Sequence, residues 1–455
     1  MRRPPSRSEE DGRSSPEAYE REAGSHRLDH GLKTYREALA YLFARTTGGS
    51  KLGLERTQRL LEILGNPHRS FPSFHVAGTN GKGSVCATLE AILRARGFVV
   101  GKYTSPHLVD FRERATVNGQ GMDAEYVVEF VDRWIPEIER IGATFFEATT
   151  AMAFAYLAAR QVDVAVVETG MGGRLDATNV VLPLAAGVSS IGIDHVEFLG
   201  HTRHEIAPEK AGIFKAGVPA VIGEPDNEIA ELLERLALER KAIPFRVWRE
   251  CPPTHVSVDG FGTSFEICLG GESAVLRTPL AGEHQASNTA TALAMLFLAG
   301  SAYYGGLLEA AGALQAVRLP GRFHRWGAFI FDVAHNPDGA RVLAATIEAV
   351  GVRRPLVTML SVLGDKDWVG VMENLARVTD RFVLTNAPTA PPSRAWSLDA
   401  ALAYARSRGW EAAAEPDFDR ALEASRGEGA TVLVTGSFHT VGDAMARLQV
   451  DPLKG

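Results

Sequence analysis

Cysteine is scarce in this chain: three residues in 455, at positions 86, 251 and 268. An odd number without metal-ligand spacing excludes a disulfide scaffold and a thiolate metal cluster, and suits a reducing compartment. Neither sign of charge dominates. A formal net charge of −7 and a pI near 6 give no sign of a nucleic-acid surface, so nucleic acid is not expected as a partner, although a local basic pocket for a small anion is compatible with them. Long apolar runs are missing too, none approaching the roughly 18 residues of a membrane span, and Arg2-Arg3 is followed by no apolar segment of a Sec or twin-arginine signal. The expectation is a soluble, cytoplasmic protein without a membrane partner, carrying a polar, disordered tail over residues 1–28.

What is present is globular: 45% hydrophobic and 23% charged residues, in a chain long enough for two or three domains. The organising stretch is Phe74-His75-Val76-Ala77-Gly78-Thr79-Asn80-Gly81-Lys82-Gly83-Ser84, followed by the apolar-periodic Val85 to Leu93. It reads as a buried strand, a glycine-rich turn and a helix. Such a turn can aim backbone N–H groups and a helix N-terminus at one anion while Lys82 adds a full charge. Phosphate binding is the reading; an ordinary strand-to-helix turn is its bland competitor. The usual pattern would place glycine at Val76 and a hydroxyl at Gly83, whereas here the glycine is Gly78 and the hydroxyl is Ser84. A magnesium ligand would then come from elsewhere in the chain. A dinucleotide fingerprint fits worse, because the strand Val99 to Thr104 contains no carboxylate.

Two helical patterns between Leu32 and Leu64 precede this strand and are expected to pack on its sheet. The next strand delivers Ser105-Pro106-His107-Leu108 at its carboxyl end, where open α/β sheets bind ligands. Glu147 heads the apolar helix Ala148 to Arg160, a costly place for a carboxylate unless it is paired, metal-bound or satisfying the helix dipole. The strand Val162 to Val167 runs into Glu168-Thr169-Gly170-Met171-Gly172-Gly173-Arg174-Leu175-Asp176, a second glycine-rich loop expected in the same crevice. Another strand leads to Asp194-His195, and Lys210 follows; position at this edge raises both above a structural histidine and a solvated lysine. Ile243 to Leu280 reads as an antiparallel edge. Gln285 to Gly300 is helical, and Arg318 to Phe323 has the turn residues of a linker. Strands at 329–331, 356–360, 382–384 and 432–434 then restart the alternation as a second, smaller parallel domain. Three of them end in polar loops, at 332–337, 364–367 and 435–440. The expected division is residues 29–317, a linker at 318–323, and 324–455.

The runs at 78–84, 105–108, 172–179, 209–213, 320–323 and 332–337, in order along the chain, resemble folylpolyglutamate synthase and dihydrofolate synthase of the Mur ligase superfamily. The resemblance implies a P-loop-type, mostly parallel α/β domain and a smaller Rossmann-like α/β domain. It also implies an ATP-dependent ligase that joins L-glutamate to dihydropteroate or a folate through an acyl phosphate; nothing in the sequence demands more than a monomer. In that reading Thr79, Asn80, Gly81, Lys82, Gly83 and Ser84 cradle the ATP phosphates, and Asn288, Arg322 and Asp332 complete the nucleotide site. Ser105, Glu147 and His195 hold magnesium, and carbamylated Lys210 holds a second ion. His335 and Ser437 meet glutamate, and Phe154 and Tyr156 line the pterin pocket, with core packing as their alternative. A Mur ligase for a cell-wall precursor is the nearest rival; the roughly 30 residues before the first helix leave no room for a further nucleotide-binding domain and favour folate. A P-loop NTPase without ligation is the more distant one.

Overall fold

The computed structural model describes residue 32 and residues 34–46 and 53–454; the tail expected over 1–28 lies outside them. Three sheets organise the described chain. The first holds β1 (Ser73–Ala77), β2 (Val100–Tyr103), β3 (Ala115–Val117), β4 (Gln120–Gly121), β5 (Val164–Glu168), β6 (Ala185–Val188), β7 (Pro219–Ile222) and β8 (Ile243–Arg246). Their order is β4-β3-β2-β5-β1-β6-β7-β8, parallel from β2 to β8, with β3 and β4 added antiparallel at one edge. β1 and β5 are buried along their whole length, as strands covered on both faces must be; β5 is apolar up to Glu168, while β1 buries His75 with its Nε2 2.9 Å from the Thr178 hydroxyl.

Register places the working ends level. Val76 lies opposite Glu168, Tyr103 opposite Val167, and Ala77 opposite Val188. The loops after β1, β2, β5 and β6 therefore open at one edge. One face of the sheet is covered by the helices Lys82–Ala95 and His284–Ala299, which share a core with Phe74, Val76 and Val166. The other is covered by Phe145–Ala159, in a core with Tyr103, Ala165 and Val167. The early helices Tyr35–Ala44 and Glu55–Ile63 pack on the helices Ala124–Ile141 and Phe145–Ala159. They form an outer layer, and their buried Leu42, Leu60 and Leu61 join the core that holds Tyr103, Ala165 and Val167 of the sheet.

The β-rich stretch also differs from expectation. β8 joins the parallel sheet, while β9 (Thr254–Asp259), β10 (Gly262–Leu269) and β11 (Glu272–Thr278) form a separate three-stranded antiparallel sheet. Alternation of buried and exposed residues along β10 explains it: one face packs under the helix His284–Ala299 and the other meets solvent. The third sheet has β12 (His324–Trp326), β13 (Phe329–Asp332), β14 (Leu356–Leu360), β15 (Arg381–Leu384), β16 (Ala412–Ala414) and β17 (Thr431–Thr435), in the order β12-β13-β17-β14-β15-β16. It is parallel except for β12. Thr435 lies opposite both Asp332 and Leu360, so the polar loops after β13, β14 and β17 also share one edge. No described helix is long and apolar enough to cross a membrane.

Candidate active site at the meeting of two sheet edges

The loop after β1 is held open by its glycines. At φ +151° Gly78 occupies backbone space that a side chain would fill with a clash against the Ser189 hydroxyl, and at φ +88° Gly81 lies directly under the Asn288 amide. Lys82 begins the helix and folds back, its Nζ donating to the carbonyls of Gly78 (3.0 Å) and Thr79 (3.3 Å). Thr79 is fixed from its far side: its hydroxyl donates to the Gly192 carbonyl at 3.0 Å, and Ser189 and Ser190 both donate to the Asn80 carbonyl. Ser84 is buried one turn into the helix, and Gly83 lies against the side chain of Leu319.

The carboxylate beside this loop is Glu168, not Glu147. Glu147 caps its own helix, accepting from the Thr144 backbone at 2.8 Å and binding Arg56 at 2.8 Å; the helix-dipole reading is the one the structure adopts. Glu168 ends β5, buried, with the Ser105 backbone N–H donating to it. Burial raises its carboxyl above the usual range, and the nearby charges of Lys82 and Arg322 oppose that rise. Its signal was in the sequence: it closes the clearest strand, at the edge where Ser105 emerges.

The loop after β6 brings Asp194 and His195. Burial alone would raise the Asp194 carboxyl, but a hydrogen bond from His335 and the charges of His335, His195 and Lys366 hold it well below the usual carboxylate range. His335 and Lys366 belong to the third sheet's loops, so Asp194 ties the two domains together: His335 Nε2 lies 3.2 Å away and Lys366 forms an ion pair with it. Sequence reading noted this lysine without giving it a role. Asn336 adds a contact to Asn80 at 3.4 Å. The surrounding protein and the charges of Lys366 and Lys82 push His195 down to about 4, against the pull of Asp194, even though 41% of its side chain is exposed. Lys210, buried at the end of its helix, donates to the Gly78 carbonyl at 2.9 Å. Burial and the neighbouring Lys82 lower its pKa to about 7.

Arg322 stands between the domains, its guanidinium 5.5 Å from the centre of the Phe438 ring. Asp332, which accepts from the backbone of Phe323 (2.8 Å) and Ala334 (2.9 Å), is its counter-charge. Asn80, Gly81, Asn288, Arg322 and Asp332 line one cavity of about 540 Å³. Ser105, Glu168 and Arg322 line a second of about 380 Å³. Ser437 caps the helix Phe438–Arg447, accepting from the Thr440 backbone at 3.0 Å.

Phe154 and Tyr156 are corrections. Phe154 is fully buried among Phe71, Tyr103 and His68, and Tyr156 packs on Tyr126. Neither lines either cavity; their apolar helix positions serve the core.

Comparison with known proteins agrees with this architecture. Residues 76–296 match the Mur ligase middle domain and residues 321–438 the Mur ligase glutamate ligase domain. The dihydrofolate synthase/folylpolyglutamate synthase of Bacillus subtilis is 32% identical over 439 residues, covering 91% of this chain and 99% of that protein. The chain belongs to this family of Mur ligases. Its Escherichia coli relative of the same description is 36% identical over 421 residues, covering 90% of this chain and 94% of that protein. The folylpolyglutamate synthase of Mycobacterium tuberculosis, solved with ADP, superposes on the family member described here with a TM-score of 0.83 at 33% identity, covering 92% and 99% of the two chains. A bifunctional synthase solved with Mn, AMPPNP and L-glutamate gives 0.78 at 34% identity, covering 92% and 98%.

Proposed function

We propose that this protein is an ATP-dependent ligase that forms an amide between L-glutamate and the carboxylate of dihydropteroate or a folate, releasing ADP and phosphate. The observation that carries the reading is the convergence of the lysine-bearing loop, Ser105, Glu168 and Arg322 at the level strand ends, under loops of the second domain. The M. tuberculosis relative's complex with ADP and the other synthase's complex with Mn, AMPPNP and L-glutamate support it.

The 540 Å³ cavity takes the nucleotide, with Thr79 to Ser84 around the phosphates and Asn288, Arg322 and Asp332 around the remainder. Lys82, now bonded to loop carbonyls, turns its charge to the transferring phosphoryl group. A magnesium ion fits the donor set beside the loop: the Glu168 carboxylate, the Ser105 hydroxyl and the His195 ring, with phosphate oxygens supplying further ligands. When bound, the metal would supply positive charge to the phosphate oxygens. Lys210, with a pKa of about 7, has the neutral amine that addition of CO₂ requires. The resulting carbamate would offer oxygens for a second ion.

In the reaction the acceptor carboxylate attacks the γ-phosphorus and ADP leaves, giving an acyl phosphate. The free amine of glutamate attacks the carbonyl carbon, loses a proton and expels inorganic phosphate. The domain contacts through Asp194 shield that mixed anhydride from water. His335 and Ser437, at the third sheet's edge, face the incoming glutamate. A monomer suffices for this reading, since both halves of the site come from one chain. Phosphate release from ATP with magnesium and glutamate, measured with dihydropteroate and with tetrahydrofolate, tests the reading. Stimulation by both means a bifunctional synthase, by tetrahydrofolate alone a polyglutamylating enzyme, and by neither the end of the folate assignment.

A further inference from the structure

Three ties close a ring around the phosphate loop. The first joins that loop to the loop after β6: the Thr79 backbone donates to the Ser190 carbonyl at 2.7 Å, and the Thr79 hydroxyl accepts from the Gly192 N–H at 2.9 Å while donating to the Gly192 carbonyl. The second joins the loop after β6 to the helix Arg203–Lys210, whose Arg203 Nε donates to the Ile191 carbonyl at 2.9 Å. The third is the bond from Lys210, at the other end of that helix, back to the Gly78 carbonyl. At about 1.5 Å per residue the two ends of the helix stand roughly 10 Å apart, so one short rigid element spans the ring.

One buried carboxylate anchors this ring. Glu224 follows β7, with 2% of its side chain exposed. One of its oxygens accepts from the Ile191 N–H at 2.6 Å; the other accepts from Arg203 at 2.8 Å and from the Asp226 backbone at 2.9 Å. Arg203 also meets the Asp226 carboxylate at 3.0 Å. Both polar groups of the Ile191 backbone are thus held by a single ion pair, three residues before Asp194 and four before His195. A planar guanidinium on three fixed acceptors keeps little freedom, and the loop inherits that restriction. Both residues border the 540 Å³ cavity, so positioning has to be separated from nucleotide contact.

We infer that Arg203 and Glu224 are positioning residues for the ligase reaction, fixing Asp194, His195 and Lys210 in one arrangement about the phosphate loop. The inference rests on the ligase reading and goes beyond it, giving work to two residues outside the reacting centre. Because the ties form a ring, loosening at Ile191 reaches Lys210 through the helix and Asp194 through the loop. Asp194 is where His335 and Lys366 of the second domain dock. The loss therefore falls on turnover, which needs the docked domain, and spares the affinity for nucleotide.

The test compares Arg203→Met, Arg203→Lys and Glu224→Gln in the full-length protein, with Lys366→Met as a partner substitution. Arg203→Met should lower kcat about ten- to a hundredfold, with part of the loss restored in Arg203→Lys. Kd for ADP, measured by calorimetry without acceptor, should be unchanged. Deuterium uptake by the amides of residues 191–195 should rise at an unchanged Tm. In Arg203→Met/Lys366→Met the combined loss of kcat should fall short of the product of the single losses, since both act through Asp194. Glu224→Gln keeps an acceptor for the Ile191 N–H and should show the same pattern more weakly, which decides the question if Arg203→Met does not fold. Wild-type turnover in these variants, a parallel loss of ADP affinity, unchanged exchange at 191–195, or losses that multiply would each overturn the proposal. Absence of glutamylated product from the wild type with every pteroyl acceptor would defeat the ligase reading instead, and the exchange measurement would still judge the hold on the loop.

Discussion

Replacement of Gly442 by alanine probes how closely the two domains must meet. Gly442 lies in the middle of the helix Phe438–Arg447, where glycine costs about 1 kcal/mol relative to alanine. On propensity alone the variant would be more stable. A Cβ there, however, would sit 1.9 Å from the carbonyl oxygen of Leu108 and 2.8 Å from its carbon, both backbone atoms of the other domain. The loop carrying Ser105 to Leu108 would have to retreat by about 1 Å or more to reach ordinary contact, and overpacking of this kind costs about 1–3 kcal/mol. The clash therefore outweighs the helix gain. Because Ser105 is three residues from the displaced carbonyl, kcat/KM should fall by about ten- to a hundredfold, since each 1.36 kcal/mol is a factor of ten. Steady-state kinetics with ATP and glutamate, together with thermal melting, decide the matter. A variant with wild-type turnover and a raised Tm would show that the domains do not need this contact and would refute the reasoning.

Glu168→Gln should abolish magnesium-dependent turnover at near-normal stability. Glu147→Gln should instead lower stability by about 2 kcal/mol through the weakened cap and Arg56 pair while retaining catalysis; denaturant melts beside activity assays separate the two, and the reverse pattern would restore Glu147 to the site. Lys82→Ala should leave no measurable ligation, and substantial activity would remove the loop from the chemistry. Lys210→Ala should lose activity that bicarbonate with a short carboxylic acid partly restores. With ¹³C-bicarbonate, carbamate signal on the wild type should diminish below about pH 7, where Lys210 becomes protonated. The same depressed pKa implies a stability penalty fully present below about pH 7 and relieved as pH rises toward the unfolded value of 10.5, because the unfolded chain binds the extra proton across that window.

The most legible parts were β5, an apolar run up to Glu168, and the glycine-rich turns after β1 and β5. With them stood out the placement of Lys82, Ser105 and His195 at one sheet edge. Register was not legible. Glu147 and Glu168 both stand at an end of an apolar segment, and only the pairing of Val76 with Glu168 shows which of them faces the loop. Phe154 and Tyr156 failed for a related reason: a helix buried nearly all round has no distinctive face to separate a pocket from a core. Short edge strands such as β12 and β16 carry too few residues for a period-two signal. The partnership of Asp194 with Lys366 joins residues 172 positions apart, and no local pattern encodes it.

The ladder between β1 and β5 has a consequence for mutational surveys. Glu168 is aimed by backbone pairing, and a slip of one residue would send its side chain to the opposite face of the sheet. Changes at buried positions such as Phe74 or Val166, which touch no substrate, could therefore silence the enzyme while the chain still folds and accumulates. A screen scoring abundance and turnover separately should find such uncoupled variants concentrated in the hidden middle of the sheet, so that a position's distance from the substrate would be a poor guide to its tolerance.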